Sequence, residues 1–274
     1  MTHKPLLLLT NDDGIHSPGL KAAARACLGL GELLVVAPAL QQTAMGRSFT
    51  GRLDAVLEPV AFEVDGQRVR AFACEGSPAS VVAHALRVLC AERRPSLVVS
   101  GINYGENMGS SISASGTVGA AMEAATWRIP ALAASQQMHP STFRQHGEQD
   151  WAAAEHFLRL FAGRMLALDL PFDVDLLKVD VPEGATAATP WRLTRLSRLR
   201  YIETVLEPPS LGSCLGDGRI TIEVDLGRLE EDSDIHALVC RRMVAVTPLS
   251  LDATSRTPFA ALQALLEEGP SSLA

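Results

Sequence analysis

Apolar residues fall in short unbroken runs separated by longer stretches of helical spacing. Residues 6–9, four leucines, are bounded by Pro5 and by the polar Thr10-Asn11-Asp12-Asp13. A run without polar alternates predicts a strand buried on both faces, as in parallel sheets. Residues 20–30, "LKAAARACLGL", are alanine-rich with apolar positions at helical spacing, and "LLVVAP" at 33–38 reads as a second buried strand. The unit is β-α-β. It recurs as a helix over 80–90, a strand over 96–101, a helix over 118–125, a strand over 130–134, a helix over 151–168 and a strand over 176–182. Such alternation predicts an α/β fold with a doubly wound, mostly parallel sheet.

Two regions break the pattern. "LDAVLEPVAFEVDGQRVRAFAC" alternates with period two around Asp65-Gly66, a hairpin signal that predicts an antiparallel extension of the sheet. From about 185 to 230 the chain reads as strands and turns, with Pro208-Pro209, Gly212 and Gly216-Asp217-Gly218, after which "LVCRRMVAVTPL" regains strand character. An amphipathic helix over 258–268 closes the chain. The division expected is residues 1–184 as the α/β domain and 185–274 as a β arm, a returning strand and a terminal helix.

Composition narrows the function classes. With 274 residues, 47% of them hydrophobic and 20% charged, the chain fits a soluble globular protein able to bury a large core. The net charge of -7 argues against duplex nucleic acid, whose binding rests on lysine and arginine at phosphates. The one basic cluster, "WRLTRLSRLR" at 191–200, suits a solvated strand face or a local grip on a small anion. The apolar run near the N-terminus is too short for a signal core or a membrane span, so no membrane and a cytoplasmic location are expected. The five cysteines, 27, 74, 90, 214 and 240, include no CxxC pair, so reduced and mostly buried thiols are expected rather than a disulfide framework or thiolate zinc site.

In open α/β sheets, ligands sit beyond the carboxyl ends of the strands. Asn11, Asp12 and Asp13 stand there, followed by Gly14. Two adjacent carboxylates at one strand end repel unless something positive neutralises them, and a divalent cation with oxygen ligands does so. The competing reading is that one aspartate caps the helix that follows and the other faces water. A second polar loop follows the strand at 96–101: Ser100-Gly101-Ile102-Asn103-Tyr104-Gly105-Glu106-Asn107-Met108-Gly109, then Ser115-Gly116-Thr117-Val118-Gly119. Asn103 offers a neutral oxygen to a cation, and Ser115, Gly116 and Thr117 open a helix whose free N–H groups suit an anion. Neither a Walker loop nor a dinucleotide fingerprint is present.

The stretches "TNDDGIHSPGL" and "SGINYGENMG...SGTVGAAME" strongly resemble the stationary-phase survival protein E (SurE) family, metal-dependent nucleoside monophosphate phosphatases. Fainter similarities run through "VVAP", "EGSPAS", "KVDVP" and "VAVTPL", in the family's order, so the resemblance covers nearly the whole chain. It implies a Rossmann-like catalytic domain, with an arm and C-terminal helix exchanged between subunits in a homodimer or homotetramer. It also implies one divalent metal ion, Mn or Mg, held by Asp12, Asp13, a loop serine and Asn103, with Asn107, Ser115, Gly116 and Thr117 at the phosphate. The chain departs from the family's pattern at the serine: "APALQQTAMGRSFT" places Thr43-Ala44 where Ser-Gly is usual, with Ser48 as an alternative ligand. It also carries Ser80 where aspartate is common and Arg242 where glycine is common.

The expected activity is hydrolysis of nucleoside 5′- or 3′-monophosphates, with Asp12 orienting or deprotonating the water. His16 is either a proton donor to the leaving group or a surface residue. The alternative from another class is a nucleotide- or phosphate-sensing module of the same fold that binds without hydrolysing, because Thr43 and its neighbours spoil the position of the water.

Overall fold

The computed structural model describes residues 4–138 and 149–268. In chain order the elements that carry the sheet and its cover are β1 (Leu6–Thr10), α1 (Pro18–Cys27), β2 (Glu32–Pro38), β3 (Glu58–Pro59), β4 (Glu63–Val64), β5 (Gln67–Arg68), β6 (Arg70–Cys74), α2 (Pro78–Val88) and β7 (Leu97–Tyr104). They continue with a 3₁₀ turn (Gly109–Ala114), α3 (Gly116–Thr126), β8 (Ala131–Gln136), α4 (Ala152–Ala167), β9 (Leu176–Val181), β10 (Trp191–Leu193), β11 (Ile202–Val205), β12 (Arg219–Ile222), β13 (Val244–Leu249) and α5 (Phe259–Glu268).

Among the described residues nine strands form one sheet in the order β10-β13-β9-β8-β7-β1-β2-β6-β3. The six strands from β9 to β6 run parallel, β13 pairs antiparallel with β9, and β3 pairs antiparallel with β6. The sheet is therefore mostly parallel and doubly wound, as the alternation predicts. The four leucines of β1 are central and buried, and their side chains alternate between two cores. Leu7 and Leu9 pack with Leu20 of α1 and Phe157 and Phe161 of α4, whereas Leu6 and Leu8 pack with Val81 of α2 and Val118 of α3. Helices α1 and α2 each begin on a proline, whose fixed φ and missing N–H suit the first helical turn.

The hairpin at Asp65-Gly66 forms, with both residues at positive φ (48° and 75°), but β4 and β5 make their own two-stranded ladder. The antiparallel extension of the main sheet is β3 instead, and β6 runs parallel to β2. Strand character in "LVCRRMVAVTPL" starts only at Val244, because residues 236–240 form a π-helical turn that buries Ala237 and Leu238. In the basic stretch only Arg192 lies on a strand, and Arg195 and Arg200 pair with the exposed Asp232 and Glu203, so this is a solvated face. Strands β11 and β12 form a separate antiparallel hairpin, and α5 is exposed from Phe259 to Glu267, with Phe259, Leu262, Leu265 and Leu266 among its exposed residues. Cys27, Cys74 and Cys90 are buried, Cys214 and Cys240 exposed, and all five are free. Among the described residues no helix is long and apolar enough to cross a membrane.

Candidate active site

Beyond Thr10 the chain makes a tight turn in which the Asn11 amide grips Gly14 twice. Nδ2 donates to the Gly14 carbonyl at 3.1 Å, and the Gly14 N–H donates to Oδ1 at 3.2 Å. That turn presents Asp12 and Asp13 at the carboxyl end of the central strand, where they are 7% and 8% exposed. Both are enclosed by neighbouring loops. The Gln42 N–H donates to the Asp12 carbonyl at 2.6 Å, and the Tyr104 N–H at the end of β7 donates to Asp13 Oδ2 at 3.1 Å.

Helix α3 begins directly on Asp12. The Thr117 hydroxyl donates to Asp12 Oδ1 at 2.5 Å, and the Thr117 backbone N–H also favours the charged carboxylate. Gly116 lies so close that a Cβ there would sit 2.8 Å from both Cβ and Oδ2 of Asp12. The Ser115 hydroxyl accepts the Val118 N–H at 3.1 Å and caps the helix. Asp12 thus takes the place of an anion at a helix N-terminus, where dipole and free N–H groups favour it. Burial first, and the neighbouring Asp13 second, nevertheless push its carboxyl up to about 7, against the pull of Thr117. The helix-cap reading of the aspartates gives way: Ser17 heads α1, and Asp12 serves α3, 105 residues onward.

Asn103 follows a bulge in β7 and donates from Nδ2 to the Gly105 carbonyl at 2.6 Å, which fixes its amide plane. Asn107 donates its backbone N–H to Asp180 Oδ1 at 2.8 Å and its Nδ2 to Ser135 Oγ at 2.9 Å. Thr43 lies exposed on the loop after β2, next to Gln42 and to Ala44, which adopts a left-handed φ of 60°. The Ser48 hydroxyl is buried without a hydrogen-bond partner. The loop is locked to α3, since Gly46 donates to the Ala114 carbonyl at 2.9 Å and a Cβ on Gly119 would fall 2.1 Å from the Gly46 carbonyl oxygen. His16 is exposed.

Direct contacts therefore join Asp12 to Gly116 and Thr117. Asp13 accepts the N–H of Tyr104, the residue after Asn103, and Gln42, the residue before the exposed Thr43, donates to the Asp12 backbone carbonyl. Asn107 belongs to a polar cluster that reading the sequence did not find: Ser135, Lys178, Asp180 and Asp234, beside Glu106 and Tyr201. The signal was a lysine and an aspartate inside "LLKVDV", a run otherwise reading as wholly buried, where each charge demands a partner.

Among the described residues no three His, Cys, Asp or Glu side chains gather as a metal group. The donor set at β1 is different: two buried carboxylates with neutral oxygens nearby. Two buried carboxylates side by side, with the Asp12 carboxyl raised by burial and by Asp13, fit a hard divalent cation.

The family profile described as "Survival protein SurE" matches residues 7–203. A protein of Methanocella arvoryzae named 5′-nucleotidase SurE is 40% identical over 263 residues, covering 93% of this chain and 94% of the relative. One of the same name from Thermococcus gammatolerans is 39% identical, with 95% of each chain covered. The crystal structure of the SurE protein from Aquifex aeolicus superposes with a TM-score of 0.71 at 28% identity, covering 97% of this chain and all of that one. The strand-end carboxylates, the α3 start and these full-length matches agree, and the chain belongs to the SurE survival-protein family.

Proposed function

We propose that the chain is a phosphomonoesterase that hydrolyses nucleoside 5′- or 3′-monophosphates to nucleoside and phosphate with the help of one divalent cation, Mn or Mg. The single observation that carries this is the buried Asp12–Asp13 pair at the end of β1, its first carboxylate seated on the N-terminus of α3. The name 5′-nucleotidase carried by the relatives supports the substrate class.

Asp12, Asp13, Asn103 and Thr43 would hold the cation, with the buried Ser48 hydroxyl as the other candidate for the Thr43 position. The chemistry such an ion supplies is Lewis-acid polarisation of a phosphoryl oxygen and activation of a water near neutral pH. Asp12, held by Thr117, would orient the attacking water and take its proton. Asn107 and the Ser115–Gly116–Thr117 start of α3 face the negative charge that develops on the phosphoryl group. Thr117 acts there through its grip on Asp12, because its hydroxyl proton is already committed.

The exposed apolar side chains on α5 and the projecting β11–β12 hairpin support a homodimer or homotetramer in which the segment after 184 packs on a second copy. Free thiols suit a reducing, cytoplasmic location. Turnover of p-nitrophenyl phosphate and of a panel of nucleoside monophosphates, with Mn, Mg and chelator, tests the proposal. Binding of nucleotide and Mn without turnover would favour the sensing module.

A further inference from the structure

Residues 107–109 link β7 to the 3₁₀ turn, and they are held by charges that the chemistry above does not use. Lys178 and Asp180 stand two residues apart on β9, hence on one face, and Asp234 arrives from the segment ahead of the π-helical turn. All three side chains are wholly buried. Lys178 Nζ lies 2.5 Å from Asp180 Oδ2 and 3.1 Å from Asp234 Oδ2. Each carboxylate also accepts a backbone N–H of the loop: Asn107 to Asp180 Oδ1 at 2.8 Å and Gly109 to Asp234 Oδ2 at 3.0 Å. Between them the buried Met108 sets its sulfur 3.9 Å from Nζ. The other oxygen of Asp234 takes the N–H groups of Ser197 at 3.0 Å and Ile235 at 2.9 Å. Burial alone would lower the Lys178 ammonium, but the two carboxylates outweigh it and keep it protonated.

We propose that Lys178 is a positioning residue for the candidate phosphate loop: with Asp180 and Asp234 it fixes the backbone at 107 and 109, and so aims the Asn107 side chain without touching substrate. The proposal rests on the phosphomonoesterase reading. The ammonium, bonded to both buried carboxylates, holds them where they accept the loop N–H groups. Without it the two carboxyl groups lose their common partner, and a shift of either one loosens a loop N–H. Apolar side chains of the same volume would fill the space at no electrostatic cost, but they cannot accept two backbone N–H groups at set positions. The charged arrangement is thus explained by placement of the loop. Asn107 closes the circuit, since its amide reaches Ser135 on β8, the register partner of Asp180.

The test uses the full chain with Lys178→Met and with a Lys178→Met/Asp180→Asn/Asp234→Asn variant, which removes the uncompensated charges, keeps at 180 the oxygen that Asn107 uses, and leaves at 234 one oxygen where two accept N–H groups. Three quantities are read: amide hydrogen exchange at 105–111, KM and kcat for p-nitrophenyl phosphate with the inhibition constant of inorganic phosphate, and Mn affinity by titration. For Lys178→Met the expected result is roughly tenfold or faster exchange at Asn107 and Gly109, with KM and the phosphate inhibition constant raised about tenfold and Mn affinity changed less than about threefold. The triple variant should recover protection at Asn107 and much of the phosphate affinity, while Gly109 stays loosened, because one of the two accepting oxygens at 234 is lost. Should Lys178→Met fail to fold, Asp234→Asn carries the test and should loosen Gly109 more than Asn107. Unchanged exchange at both amides in a folded variant overturns the clamp, even with turnover intact. Mn and phosphate affinities falling together overturn it as well, because general loosening would then explain the data. A parent that neither binds phosphate nor turns over phosphate monoesters defeats the phosphomonoesterase reading, and with it the functional half of the proposal, whatever exchange does.

Discussion

Gly116→Ala adds one methyl group at the point where α3 meets Asp12. The new Cβ would lie 2.8 Å from Asp12 Cβ and Oδ2, whereas ordinary contact begins at 3.4 Å, so the carboxylate must retreat by the difference, 0.6 Å. Gly116 has no left-handed φ to protect, and the helix gains up to about 1 kcal/mol from losing a glycine, against roughly 1–3 kcal/mol for overpacking. Net stability should therefore shift by no more than about 2 kcal/mol, and the fold survives. Catalysis is less forgiving: a displacement approaching 1 Å at a reacting group costs on the order of 10²-fold, about 2.7 kcal/mol in the barrier. Steady-state turnover of p-nitrophenyl phosphate with saturating Mn, alongside urea unfolding, measures both. The reasoning fails if the variant is folded and turns over like the parent, for then the start of α3 does not set the position of Asp12.

Asp12→Asn and Asp13→Asn should each cut turnover by at least about 10²-fold at equal protein stability, because shape is kept while charge facing the cation is lost; near-parent turnover in both would end the metal reading. Ala44→Gly should raise stability by about 0.5–1 kcal/mol by relieving the left-handed backbone at φ 60°, visible as a higher urea midpoint. Burial raises the Glu106 carboxyl above its usual range despite the Tyr201 hydroxyl at 2.5 Å, so its contribution to stability is complete below the unfolded value and is lost as pH rises through the folded one. Glu106→Gln should accordingly lessen the fall of stability as pH rises above the ordinary carboxylate range, and parallel pH profiles for variant and parent would contradict this. Chelation should weaken inorganic phosphate as an inhibitor of residual binding by at least about tenfold, measured calorimetrically with and without Mn; equal affinity in chelator would place the anion site away from the carboxylates.

The sequence is informative wherever one local feature dictates one outcome. Leu6 to Leu9 can satisfy four consecutive apolar side chains only between two layers, and the structure divides them alternately between α1/α4 and α2/α3. Asp65-Gly66 can turn because both residues tolerate positive φ. What stayed hidden depends on distant encounters. Nothing near Leu238 says that its segment coils into a π turn, since its side chain is buried in a cluster with the distant Met108 and Tyr201. Lys178 and Asp180 advertise a buried ion pair, but their third member, Asp234, lies 54 residues beyond Asp180 and comes from a stretch that reads as surface turn. Thr117 was legible as a site residue but its partner was not: "SGT" before a helix suits either a bound anion or a carboxylate of the protein, and only the fold brings Asp12 there.

That last point constrains how the site must work. The start of α3 is already occupied by a carboxylate, and Asp13 adds a second negative charge beside it. A phosphate monoester arriving at the same helix end would bring about two more charges into a region of low solvent access, where repulsion between like charges is strong. The dipole of one helix end, equivalent to about half an elementary charge, cannot offset that load. A divalent cation changes the sum: bound by the two aspartates it leaves the pair neutral, and the helix end and Asn107 are then left to the phosphate. On the proposed reading the carboxylates would serve substrate binding as well as hydrolysis, with the ion bound before the phosphate. On this account burial of Asp12 is functional. A solvated carboxylate would ionise more readily, whereas the buried Asp12, raised by desolvation and by Asp13, gains most from a cation placed between the two carboxylates.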